Sequence, residues 1–202
     1  MTKQQQVHLG VIGLGNIAQQ HIQLISQQLI PHCTLTAICS RQAPAAQQLT
    51  HTATHFSDYR ALVDSGLCNA VLIATPTASH FEIGAYALQA GLHVLMEKPL
   101  GLSIDEGRRL LSLQKTDQQF AVMLNQRTDP LFQLMQQIIQ QGHLGDITRC
   151  HWTMTNWFRP EIYFQVSDWR ATWRGEGGGL LINQCIHNLD IFQWLLGMPS
   201  KV

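Results

Sequence analysis

The sequence predicts an α/β protein: a Rossmann-type doubly wound parallel sheet over residues 1–124, then the start of a second α/β domain over residues 125–202. Three observations predict it. Short apolar runs bounded by glycine or turn residues recur through the first part, separated by segments with helical spacing, which makes βαβ units and a parallel sheet. The first run leads into Gly13-Leu14-Gly15-Asn16-Ile17-Ala18, a glycine turn that opens a helix. After residue 124 the alternation stops, and a stretch rich in aromatics and threonine takes its place.

The elements follow in order. Val7–Ile12 is short, apolar and closed by glycine, like a strand buried on both faces. Residues 17–29 carry Ile17, Ile22, Ile25 and Leu29 at helical spacing, and Pro31 ends the helix. Residues 34–39 (TLTAIC) form a strand and 44–50 a short helix; Ser57 caps a helix through Val63 that Gly66 stops. Residues 70–74 (AVLIA) are strongly apolar, 79–90 are a helix stopped by Gly91, and His93–Met96 is a strand. Ser103 and Glu106 make a capping box for a helix to Thr116, and 120–124 (FAVML) is a further strand. In the second part, 131–141 is a helix ended by Gly142, 147–157 a strand, 158–176 a polar aromatic loop, and the segment from Gly177 a helix.

Composition narrows the function. Among 202 residues, 13 basic side chains balance 13 acidic ones, so neither a nucleic-acid partner nor a solvating acidic tail is expected. The five cysteines lack CxxC spacing, which argues against a metal centre or a disulfide framework and for buried thiols in a reducing compartment. The N-terminus has no signal-peptide pattern, and no run approaches the roughly 18 apolar residues of a membrane span. A cytoplasmic protein without a membrane partner is expected.

The glycine turn has the form GxGxxA of a dinucleotide fingerprint. Gly13 permits the tight turn, and Gly15 lets a pyrophosphate approach the backbone. Asn16 and Ile17 offer first-turn N–H groups, and Ala18 lets helix and strand pack closely. At the end of the strand 34–39 no acid is present to read a ribose 2′-hydroxyl. Ser40 and Arg41 suit a 2′-phosphate instead, which favours NADP over NAD; the plain alternative is an exposed surface arginine. Ligands of such sheets lie beyond the carboxyl ends of the strands. There the sequence places Thr75, Pro76 and His80 after one strand and Glu97-Lys98-Pro99 after the next. Lys98 beside a nicotinamide is a candidate acid/base group, against the reading of a solvated loop lysine. His80 reads as structural or cofactor-facing.

GLGNIA, ATPTASH, EKPLG and GGGLLINQCIHNLD together resemble the Gfo/Idh/MocA oxidoreductases, the relatives of glucose–fructose oxidoreductase and inositol dehydrogenase, over essentially the whole chain. The resemblance implies a Rossmann domain joined to an α/β substrate domain with a large open antiparallel sheet. It implies redox chemistry with NAD(P) on a sugar, polyol or cyclitol, and homo-oligomerisation of the full-length enzyme. In it Glu97 shapes the cofactor site, Lys98 contacts nicotinamide ribose and substrate hydroxyl, His187 exchanges the proton, and Trp169-Arg170 reach toward the cofactor.

Asn183, His187 and Asp190 fall at i, i+4 and i+7, so one face of a continuous helix carries all three, with Trp194 extending the stripe, and such a helix aims Asn183 and His187 at a pocket. Apolar neighbours make that helix largely buried. Many family members carry Asp where this chain has Asn183, which orients a hydroxyl but takes no proton. Cys185 stands where Gly is frequent and reads as packing. Residues 125–202 are too few for the implied substrate domain, so a truncated chain is expected, with native assembly doubtful. The rival function is a non-catalytic dinucleotide-binding protein or inactive fragment of such an enzyme.

Overall fold

Six strands form one sheet in the order β3-β2-β1-β4-β5-β6, with every pairing parallel. They are β1 (Val7–Ile12), β2 (Cys33–Cys39), β3 (Thr54–Phe56), β4 (Ala70–Ile73), β5 (His93–Met96) and β6 (Phe120–Val122). The computed structural model describes residues 6–42, 53–155, 158–165 and 169–201. The chain divides into two units, Met1–Met123 and Leu124–Val202. The helix expected over 44–50 lies outside the described residues.

In the first unit the crossovers carry α1 (Asn16–Ser26), α2 (Tyr59–Asp64), α3 (His80–Gln89) and α4 (Ile104–Leu113). Successive strand side chains point to opposite faces, so the sheet builds two cores. Leu9, Val11, Leu35, Ile38 and Leu72 pack against Ala18, Ile22 and Ile25 of α1. Ile12, Val71, Ile73, Val94 and Met96 pack against Leu62, Leu88 and Leu110 from the other helices. Each Leu or Ile so buried contributes about 1.5–3 kcal/mol. Coverage on both faces explains the nearly continuous apolar runs in β1 and β4.

Four local expectations change. The three residues of β3 are too few to show periodicity, and pairing with β2 alone makes them a strand. Asp58, not Ser57, caps α2, accepting from the Arg60 N–H at 3.1 Å. Ser103 caps α4 as expected, but the Glu106 carboxylate takes the Leu102 N–H at 2.7 Å rather than closing a box on Ser103. The last turn before Thr116 is absent, because α4 ends at Leu113.

The second unit is helical among its described residues. Asp129 caps α5 (Pro130–Gln140) by accepting from the Leu131 N–H, with Pro130 in the first turn. Then come α6 (Glu161–Gln165), α7 (Trp173–Glu176), α8 (Leu180–Asn183) and α9 (Ile186–Leu196). The expected strand at 147–157 is not formed over residues 147–155, the part that is described. A strand needs a partner backbone, and none of the described residues pairs with it. The only sheet described is therefore parallel, and the antiparallel sheet expected of the second domain is absent from it.

The single helix expected after Gly177 is two. The Cys185 N–H donates five residues back to the Leu180 carbonyl at 2.9 Å, and a new helix starts from the Cys185 carbonyl. That break offsets Asn183 from the helical face that carries His187 and Asp190. Nor is α9 largely buried: Ile191 and Leu195 are, but Leu189 is exposed. Of the thiols, Cys39, Cys68 and Cys185 are buried as expected, whereas Cys150 is exposed. Burial, with Asp58 adding to it, pushes the Cys39 thiol up to about 11.

Candidate functional site

All strands of the first unit run the same way, so the residues that follow β1, β2, β4 and β5 gather at one sheet edge. Gly13 follows β1 with φ at +93°, and a Cβ there would lie 2.6 Å from the Ala74 carbonyl oxygen. Only glycine lets the turn pass so close to the end of β4. Gly15 differs: a Cβ added to it meets nothing within 4 Å. It is the N-cap of α1, whose first turn receives no side-chain cap and contains no acid. Open space above Gly15, with the first-turn N–H groups of Asn16 and Ile17 beneath it, fits the pyrophosphate of a dinucleotide.

Beyond β4, Ser79 Oγ donates to the Pro76 carbonyl at 2.8 Å and lies 2.9 Å from the Thr75 hydroxyl, shaping the turn before α3. His80 is 1% exposed. Its Nδ1 faces the Pro99 carbonyl at 2.8 Å and its Nε2 the Thr75 carbonyl at 2.9 Å. The ring thus joins the loop after β4 to the loop after β5. Burial pushes its pKa below the ordinary histidine value, against the opposing pull of the two carbonyls and of Glu97 and Glu106.

Glu97 leaves β5 with its N–H bonded to the Ile73 carbonyl at 2.9 Å. The residue is 7% exposed, and its Oε1 accepts from His21 Nε2 at 2.9 Å. Lys98, the next residue, is half-buried. His21 escaped the sequence reading. Its only signal was a polar side chain beside Ile22 on the inner face of α1, one that any half-exposed helix position shares.

Past β2, the Ser40 N–H bonds the Phe56 carbonyl. Ser40 Oγ donates to the Gln42 carbonyl at 2.5 Å and lies 3.1 Å from His55 Nε2. Arg41 beside it is exposed. The hydroxyl's proton is therefore used locally, and the guanidinium is the charged donor available to a ligand at this corner.

The second unit holds the remaining candidates. Gly177, at φ +73°, ends α7, and Gly179 caps α8. Glu176 is buried and was missed in the sequence. One carboxylate oxygen accepts from the Ala171 N–H at 3.0 Å, and the other accepts from the Asn183 amide. The Arg170 guanidinium lies over the rings of Tyr163 and Trp169, at 4.2 and 4.7 Å. His187 is in the first turn of α9 and half-buried. Asp190 accepts two hydrogen bonds from Arg127, at 2.8 and 2.5 Å, and the same guanidinium covers the Trp194 ring. Of the expected polar stripe, Asn183 and Asp190 thus have separate protein partners. An open cleft of about 500 Å³ is lined by Arg159, Phe164, Thr172, Trp173, Glu176 and Gln184, among others. Among the described residues, no cluster of His, Cys, Asp or Glu could hold a metal ion, and no helix is long and apolar enough to cross a membrane.

A parallel sheet with this glycine turn defines an NAD-binding Rossmann domain. Residues 7–125 match the oxidoreductase family with an NAD-binding Rossmann fold, and residues 132–202 match the GFO/IDH/MocA C-terminal domain. The chain belongs to the Gfo/Idh/MocA family of oxidoreductases. It is 32% identical over 202 residues to the uncharacterized oxidoreductase YrbE of Bacillus subtilis, covering 98% of this chain and 55% of that protein. It is 29% identical over 203 residues to the inositol 2-dehydrogenase of Leifsonia xyli, covering 98% and 56%. Among solved structures, the WlbA dehydrogenase of Bordetella pertussis in complex with NADH and UDP-GlcNAcA superposes with a TM-score of 0.81 at 28% identity, covering 96% of this chain and 60% of that one. The chain spans about half the length of the curated relatives it matches.

Proposed function

We propose that this chain carries the cofactor domain (1–124) and the first part of the substrate domain (125–202) of an NAD(P)-dependent oxidoreductase acting on a sugar, polyol or cyclitol. The observation that carries the reading is the open space above Gly15 at the uncapped start of α1. The dinucleotide, when bound, supplies hydride transfer to or from a substrate carbon. Glu97 and Lys98 lie at the same sheet edge, where the nicotinamide half of a dinucleotide anchored at Gly15 would reach. Lys98 binds and polarises the substrate hydroxyl, His187 takes or returns its proton, and Asn183 orients the substrate. Thr75 and Pro76 contact the cofactor, with His80 holding the loops behind them, and the family resemblance assigns Trp169-Arg170 to the cofactor as well. Arg41 leans the adenosine end toward a 2′-phosphate, hence NADP over NAD. An open antiparallel sheet in the substrate domain and homo-oligomeric assembly belong to the same reading of the full-length enzyme. The inositol 2-dehydrogenase and the WlbA complex support a nicotinamide cofactor and a polyhydroxylated substrate.

A second reading, dinucleotide binding without turnover, is favoured by one observation: Asn183 is tied to Glu176 and offset from His187 by the break at Cys185. Nicotinamide fluorescence separates the two. The enzyme reading expects NADPH to bind and to be consumed with a member of a polyol and keto-sugar panel. Lys98→Ala is then expected to lower turnover by about 100-fold or more while NADPH still binds. Unchanged turnover removes Lys98 from the chemistry, and binding without turnover in the unaltered protein favours the second reading.

A further inference from the structure

We infer that His21 is a positioning residue for the Glu97 carboxylate, holding it in the orientation from which it meets the nicotinamide half of the dinucleotide; the inference rests on the cofactor reading above. The pair is unusual for its place. Burying a carboxylate is costly unless it is paired, and an apolar pair of similar volume serves a core as well or better. Yet Glu97 is 7% exposed and takes its 2.9 Å bond from His21 at the ligand edge of the sheet, away from the middle of either core.

The geometry shows what the contact joins. His21 is on α1, the helix whose N-terminus is the glycine turn, and helical side chains lean back toward that end. Ala18, Ile22 and Ile25 lock the same helix onto the sheet. Glu97 is reached across the end of β4, the strand that lies between β1 and β5. Its own N–H is fixed to the Ile73 carbonyl, so the backbone cannot shift to follow a wandering side chain. The His21 bond therefore sets the carboxylate relative to the phosphate-binding helix itself. The pyrophosphate end and the segment bearing Lys98 are held in one frame. Because Glu97 lies past β5 while Gly13, Gly15 and Arg41 lie at β1 and β2, the effect is confined to the nicotinamide half.

Binding of two probes, NADPH and ADP, to the unaltered chain, His21→Leu and His21→Gln tests this. Loss of a hydrogen bond to a charged group predicts about tenfold weaker NADPH binding in His21→Leu with ADP affinity unchanged. His21→Gln, which keeps an N–H donor, is expected to recover most of the loss. A parallel fall in ADP affinity would show that the substitution merely unsettles α1, and unchanged NADPH affinity would show that Glu97 needs no such support; either result overturns the inference. If the unaltered chain binds neither probe, the dinucleotide reading itself fails.

Discussion

Gly13 and Gly15 stand two residues apart in one turn, yet an added side chain meets opposite surroundings. Gly13→Ala puts a Cβ at positive φ against the Ala74 carbonyl and is expected to cost about 2–4 kcal/mol of stability, read by chemical denaturation. Gly15→Asp meets open space, and aspartate is a favoured N-cap, so the fold is expected to hold or gain slightly. Its carboxylate would take the N–H groups offered to a phosphate and repel it. NADPH affinity is therefore expected to fall on the order of 100-fold. Equal loss of stability in both variants would contradict the distinction. His80 supplies the pH dependence. Its folded pKa is lowered, mainly by burial, from an ordinary 6.5, so the unfolded chain binds the proton first as pH falls. The stability that neutral His80 contributes is whole above 6.5 and is lost as pH drops through the folded value. Urea unfolding from about pH 8 to about pH 5 is expected to show the gap between the protein and His80→Leu shrinking toward acid. A constant gap would mean that His80 does not titrate in this range.

Elements, more than single residues, show where the sequence was legible. Strands with both faces covered declare themselves by continuous apolar runs, and the α1 turn by its glycines. The break between α8 and α9 left no comparable signal. Leu180 to Leu196 keeps helical spacing throughout, and only the long bond from Cys185 back to Leu180 shows the change of register. The Arg127–Asp190 link was likewise hidden, since the two residues are 63 positions apart. It ties a 3₁₀ turn, Asn125–Thr128, to α9, and Asp190 is the more buried partner, with its side chain 10% exposed against 39% for Arg127. Arg127→Met leaves that carboxylate without its two donors. A loss of about 1–3 kcal/mol is expected in the unfolding of the second unit, with a smaller loss for Asp190→Asn. A larger loss from Asp190→Asn would reverse the assignment of which charge is stranded.

Across the molecule the two units differ in how completely they bury their apolar surface. The first has two cores flanking its sheet, whereas in the second Leu131, Leu134 and Met135 of α5 and Leu180 and Leu181 of α8 are exposed. Amide hydrogen exchange is expected to be slowest in β1, β4 and β5 and much faster in α5 and α8, since local opening follows the apolar contacts that must be broken. Uniform protection across both units would show that contacts beyond those described stabilise the second.

Read alone, the amino-acid sequence determined the parallel sheet, the glycine turn and the position of Glu97-Lys98 after β5. These follow from local patterns: runs of apolar residues, glycines at fixed offsets, and the end of a strand. Tertiary structure alone decided that His21 bonds Glu97, that His80 bridges two loops, that Glu176 holds Asn183 and that residues 147–155 make no strand. Each depends on which groups meet in space, and spacing along a chain carries no record of such meetings.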